Sequence, residues 1–186
     1  MILLKALVIA DAGFKPSINE LVESHKIELV ITLGDLLPID LSGLETVPIP
    51  KIGVYGNHDT CKYMPDYNII NLHCTEFGLN GLTFTGFEGC VEYKKHSIEP
   101  MYSQKEAAKL INKLPRVDIF VTHCPPRGIN DDDDIHQGWD ALTKYIKHKK
   151  PKVLLHGHTY PTENNLVQQY RKTRIEYVRE YRIVEL

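Results

Sequence analysis

Long apolar runs are missing from this sequence. Nothing approaches the roughly 18 consecutive apolar residues that a membrane-crossing helix needs, and Met1-Ile2-Leu3-Leu4 lacks the basic start and small-residue cleavage site of a secretory leader. A charge surplus is missing too: the formal net charge is -2, so the chain carries no electrostatic footprint for nucleic acid or an anionic membrane. Lys147 to Lys152 is the one basic cluster and reads as a helix end, so nucleic acid is expected only as a substrate, not as a partner. Cysteine is sparse. Cys61, Cys74, Cys90 and Cys124 form no C-x-x-C pair, which excludes a zinc-finger framework and gives no disulfide pattern. Reduced thiols point to a cytoplasmic location, with Cys124 as a small buried filler. Repeats, linkers and low-complexity tracts are absent as well. What remains is 186 residues with 42% hydrophobic and 25% charged side chains, which suits one domain spanning residues 1–186 with a sizeable core.

Apolar strand patterns alternate with helices. Strands are expected at 2–10, 28–33, 49–55, 117–122 and 152–155. Ser17-Ile18-Asn19-Glu20 and Ser103-Gln104-Lys105-Glu106 are capping boxes opening helices from about residue 18 to 26 and from 104 to about 114. A third helix is expected over 138–148, carrying Trp139 and Tyr145 into the core. Asn80-Gly81 between apolar runs signals a hairpin. The alternation around Ile175 to Val184 suggests antiparallel strands closing a sheet.

Five of these strands end in polar groups: Asp11, Asp35, Asn57-His58-Asp59, His123, and His156-Gly157-His158. A turn needs Gly and Asn, but it does not need an imidazole followed by a carboxylate. In α/β sheets ligands gather at the C-terminal ends of strands. Five successive ends offering carboxylate, amide oxygen or imidazole therefore describe a metal site for borderline and harder divalent ions.

In this order, Asp11, Gly34-Asp35, Gly56-Asn57-His58-Asp59, Thr122-His123-Cys124-Pro125-Pro126 and Gly157-His158-Thr159 resemble the calcineurin-like metallophosphoesterases over almost the whole chain. The resemblance implies an α+β sandwich, two facing β-sheets flanked by helices, with a dinuclear centre at the strand ends. It implies that Asp35 bridges two ions, that Asn57, His123 and His158 complete the second ion's shell, and that Asp11 holds the first. His58 would protonate the leaving group, and Asp59 would orient His58 and favour its imidazolium form. The implied activity is hydrolysis of phosphate diesters or monoesters by a metal-activated water, with manganese foremost among the ions and Fe, Zn, Ni and Mg also compatible. A catalytically inactive binding scaffold on the same fold is the alternative. Oligomeric state and natural substrate are left open.

The sequence departs from the resemblance in two places. The first motif, Asp-x-His in the family, reads Asp11-Ala12-Gly13, and the last, often Gly-His-x-His, reads Gly157-His158-Thr159-Tyr160. Both missing imidazoles belong to the first ion. Three accounts stay open: Asp11, Asp35, waters and substrate hold that ion weakly; Tyr160 or His156 takes over; or the site has decayed. Arg127 and His136 are further candidates for contact with the substrate. Asp131 to Asp134 reads as a solvated loop, and His25, His73, His96 and His148 as surface residues.

Overall fold

The structure is a computed structural model that describes residues 3–11, 13, 16–60, 62–94, 98–131 and 133–186. Met1, Ile2, Ala12, Cys61, His96 and Asp132, which enter the sequence reading, lie outside the described residues.

In chain order the first half holds β1 (Lys5–Ala10), α1 (Ile18–His25), β2 (Leu29–Thr32), β3 (Lys51–Gly53), β4 (Ile70–Asn71), β5 (Glu76–Leu79), β6 (Leu82–Phe87) and β7 (Cys90–Val91). The second half holds β8 (Met101–Tyr102), α2 (Gln104–Ile111), β9 (Ile119–Thr122), α3 (Asp140–Lys149), β10 (Val153–His156), β11 (Gln169–Tyr170), β12 (Thr173–Tyr177) and β13 (Glu180–Glu185). One sheet runs β13-β1-β2-β3-β4 and the other β11-β12-β10-β9-β6-β5, with β7 and β8 as a separate short pair. The α+β sandwich of two facing sheets is therefore what forms.

The apolar strands read as continuous because both of their faces are covered. Along β1, Ala6, Val8 and Ala10 face the inter-sheet core with Leu29, Ile31, Phe84, Val121 and Leu155. Leu7 and Ile9, alternating with them, pack outward with Ile18 and Leu21 of α1. On the far side, α2 and α3 cover the second sheet around Trp139, Phe87 and Phe120. Trp139, Tyr145 and Cys124 are buried, as the sequence suggested.

Ser17 accepts the Glu20 N–H at the start of α1, and Ser103 and Glu106 form the full reciprocal cap of α2. Asn80 and Gly81, at φ 51° and 80°, make the tight turn between β5 and β6. The third helix starts at Asp140, later than expected, because Trp139 is extended and donates its N–H to Pro125 O at 2.8 Å. The tail supplies antiparallel pairs as expected, but to two different sheets: β12 runs antiparallel to β11 and parallel to β10 in one, while β13 runs antiparallel to β1 in the other. Val178 and Arg179 carry the chain from sheet to sheet, and Glu180 takes a left-handed φ of 64° at the switch. His73 is also not a surface residue. Its ring stacks on Tyr102 with centroids 5.6 Å apart and accepts the Glu88 N–H. Among the described residues no helix is long and apolar enough to cross a membrane.

Candidate metal centre

Strands β1, β2 and β3 run parallel in one sheet, and β9 and β10 run parallel in the other. Their C-terminal ends meet at one edge of the sandwich. Asp11 follows β1, Asp35 follows β2 after Leu33-Gly34, and Asn57 follows β3; His123 and His158 arrive from the opposite sheet. Hydrogen bonds cross between the sheets here. His158 N–H donates to the Asp11 carboxylate at 3.0 Å, and His123 Nδ1 lies 2.8 Å from Leu33 O.

Asp11, Asp35 and His158 all adopt left-handed backbone, at φ 62°, 56° and 69°. Outside glycine that conformation is strained and collects at functional sites. It also turns each side chain off the alternation of its strand and toward the common edge. Gly56 is needed beside them, because a Cβ there would collide with Asp35 Oδ1.

The cluster centres on His123, which is fully buried. With Nδ1 donating to Leu33 O, its Nε2 faces Asn57 Oδ1 at 2.9 Å, His158 Nδ1 at 3.1 Å and Asp35 Oδ2 at 3.4 Å. A neutral His123 would point three or more lone pairs at one another with no proton between them. A cation resolves that conflict. Ligands at 2.0–2.2 Å from one ion sit about 3 Å from their neighbours, the spacing found here. Asp35, His123 and His158 offer ligand atoms that all lie within 4.8 Å of one another. His158 Nε2 is buried without a hydrogen-bond partner. The donor set fits a divalent ion.

Without an ion, a proton takes its place. Burial alone would lower the His123 pKa, but the carboxylates of Asp35 and Asp11 outweigh it and hold the ring up to about 9. Burial lifts Asp11 to about 6, against the pull of His123 and, more weakly, of Arg179. Asp35 is lowered to about 2, since the His123 charge overcomes burial. Burial takes His158 down to about 2. The sign follows for the metal-free protein. Both His123 and Asp11 bind protons more tightly folded than unfolded, so their contribution to stability is greatest at acid pH and falls as pH rises through about 6 and then about 9. An ion must displace the His123 proton. At pH 7 manganese binding is therefore expected to release about one proton per chain. Calorimetry in buffers of different ionisation enthalpy measures this, and an affinity that stayed constant across neutral pH would contradict it.

A cleft of about 180 Å³ opens over the cluster, lined by Asp11, Asp35, Asn57, His58, His136, His158, Tyr160 and Tyr93. His58 is exposed, and its ring makes no hydrogen bond to a described residue. Its backbone N–H donates to Asp35 Oδ1 at 2.7 Å. The expected link between His58 and Asp59 is not formed. Asp59 is buried and spends both oxygens on main-chain amides, those of Gly56 at 2.7 Å, Asp35 at 3.0 Å and Leu36 at 3.1 Å. It clamps the two motif loops to each other and leaves the imidazole alone.

The remaining candidates separate clearly. His136 faces the cleft with its ring 5.2 Å from that of His158. Asp133 fixes it through the His136 N–H and Nδ1, both at 2.9 Å. Asp133 and Asp134 are exposed, as expected of a solvated loop, and Asp133 in addition holds His136. Arg127 turns away from the cleft to Gln137 Oε1 at 2.7 Å and Asp131 at 3.5 Å. His156 cannot act as a ligand: Asn130 Nδ2 lies 3.0 Å from its Nε2, and its Nδ1 faces Gly157 O at 3.0 Å. Tyr160 lines the cleft, but its ring is half exposed and lies beneath the Arg179 guanidinium, 5.0 Å away. Gly13 offers no ligand, and a side chain there would run into Asp40 Oδ1. Asp11 is therefore left without an imidazole of its own. Arg179 was missed by the sequence reading.

No curated protein matches the chain significantly. Among solved structures, TT1561 of Thermus thermophilus superposes with a TM-score of 0.59 at 15% identity, over 96% of this chain and 90% of that one. A putative 5'-nucleotidase from Staphylococcus aureus, in complex with alpha-ketoglutarate, gives 0.60 at 11% identity; this chain is covered over 95%, but only 48% of the nucleotidase is. GAP50, the anchor in the inner membrane complex of Plasmodium, gives 0.52 at 12% identity, over 94% of this chain and 71% of that one. At such identities the likeness is one of fold. The sequence profile of the calcineurin-like phosphoesterase superfamily domain goes further, matching residues 6–175, a span that starts in β1 and takes in every strand end of the cluster. The chain belongs to the calcineurin-like phosphoesterase superfamily.

Proposed function

We propose that this chain is a metal-dependent phosphoesterase acting on phosphate diesters or monoesters, with one strong ion site built from Asp35, Asn57, His123 and His158. The observation that carries the reading is the convergence of three donor atoms on His123 Nε2 at 2.9–3.4 Å beneath an exposed His58. A divalent ion bound there, manganese foremost, supplies Lewis-acid charge to phosphoryl oxygens and lowers the pKa of a water. The protein does the rest. Leu33 O fixes the His123 ring so that Nε2 faces inward. The His58 main chain holds Asp35, and the Asp59 clamp keeps both loops in register. The His58 ring reaches into the cleft, where it is free to give a proton to a leaving oxygen.

The alternative is a binding scaffold that has lost turnover. The bare first site at Asp11 favours it, and GAP50, an anchor protein, shares the fold. Elemental analysis and an ester assay separate the two. Purified protein is expected to hold manganese, and to hydrolyse bis-p-nitrophenyl phosphate or p-nitrophenyl phosphate with Mn, Ni or Mg but not in chelator. Bound metal with no turnover of any ester would decide for the scaffold. In either case the ion is expected at the His123 cluster; anomalous scattering that put a full ion only at Asp11 would refute the assignment.

A further inference from the structure

Two sheets deliver one residue to the bare side of the site. The last pair of β1 with β13 is Ala10 with Glu180, and one residue further along each strand stand Asp11 and Arg179. In the other sheet the last pair of β10 with β12 is His156 with Tyr177, two residues short of His158 and Arg179. Asp11 and His158 are themselves joined by a hydrogen bond at 3.0 Å. Arg179 thus stands at the sheet-to-sheet switch, beside the carboxylate whose imidazole partners are missing.

Its side chain is placed as a receptor. The guanidinium lies 5.0 Å over the Tyr160 ring, within cation–π range. Tyr160 contacts His136 edge-on at 5.6 Å, and His136 leans on His158 at 5.2 Å. These rings line the cleft, and the guanidinium lies over the last of them. Among the described residues Arg179 makes no hydrogen bond or ion pair, so its five donors are free. Contact with an aromatic face uses none of them. The residue that replaces the family's last imidazole is the one that supplies this face.

We propose that Arg179 stands in for the first metal: the site holds one ion, at the His123 cluster, and the guanidinium supplies the second positive charge, binding two oxygens of the substrate phosphate as a bidentate fork. The inference deepens the phosphoesterase reading and rests on it for the identity of the ligand as a phosphate ester. A planar fork on a phosphate gives geometry as well as charge. The weak pull of Arg179 on the Asp11 carboxyl agrees with this placement.

The test uses inorganic phosphate and manganese with the full chain. Wild type is expected to bind one manganese per chain, with or without phosphate. Arg179→Ala should keep that ion and its melting temperature, since the side chain is exposed and forms no hydrogen bond among the described residues, while phosphate affinity measured by calorimetry falls at least about tenfold. The Michaelis constant should rise in parallel, by more than the turnover number falls. Arg179→Lys should recover part of the loss, as charge without a fork. Two manganese ions per chain in the presence of phosphate would overturn the inference, as would equal phosphate affinity in wild type and Arg179→Ala. The two readings fail separately. Ester turnover with unchanged phosphate binding in Arg179→Ala removes the arginine and leaves the enzyme. Arginine-dependent phosphate binding without turnover of any ester leaves the arginine and removes the enzyme.

Discussion

His58→Ala is expected to lower the rate of alkyl phosphodiester hydrolysis by at least about 10²-fold, the usual scale of general-acid help, with metal content and melting temperature unchanged. The division within the residue explains why. The main chain of His58 holds Asp35 Oδ1 at 2.7 Å, and alanine keeps that bond. The ring is exposed in the cleft and bonded to no described residue, so its removal costs no packing and opens no cavity. An alkoxide leaves poorly without a proton, whereas p-nitrophenolate needs little help, so the deficit should shrink on p-nitrophenyl esters. Equal rates for wild type and variant on an alkyl diester, with the same ion bound, would strip His58 of the role.

Asp59→Ala should behave differently although it is the next residue. The buried carboxylate accepts N–H groups from Gly56, Asp35 and Leu36, and its loss leaves those donors unpaired inside the protein. Roughly 3 kcal/mol of stability should go, measured by urea unfolding. Manganese affinity should fall too, because Asp35 loses its tether. Activity should drop on every ester irrespective of leaving group. If Asp59 served to hold the His58 imidazolium instead, the variant would copy His58→Ala: normal stability, normal metal content and a deficit confined to poor leaving groups.

The contrast between neighbours shows what a sequence can carry. That Asp35, Asn57, His123 and His158 come together was legible because each follows an apolar strand within a few residues, and strand ends converge by topology. Asp59 has the same chemistry and the same address, but its work is decided by where backbone amides point, which no residue type declares. His156 and His158, two apart, look equivalent on an alternating strand. A left-handed φ of 69° at His158 separates them, sending one to the cluster and the other to Asn130. Arg179 was hidden for a topological reason. The alternation around Ile175 to Val184 shows strands but not their partners, and only the divergence of β12 and β13 into separate sheets brings the residue between them to the edge where the strand ends meet. Arg127 drew attention by its motif neighbourhood, and Asp131 holds it elsewhere.

The bond between His158 N–H and the Asp11 carboxylate closes a loop of 147 residues in sequence, and the other donors come from positions 35, 57 and 123. Contacts this distant make for slow folding, since most of the chain must be ordered before they form. No early segment offers two adjacent imidazoles that could capture an ion. Manganese, if it binds at this cluster, is therefore expected to act after the barrier to folding. It should leave the refolding rate nearly constant and slow unfolding, the signature of an interaction absent from the transition state. On that order of events the folded chain would form first, and an ion would meet a cluster already assembled.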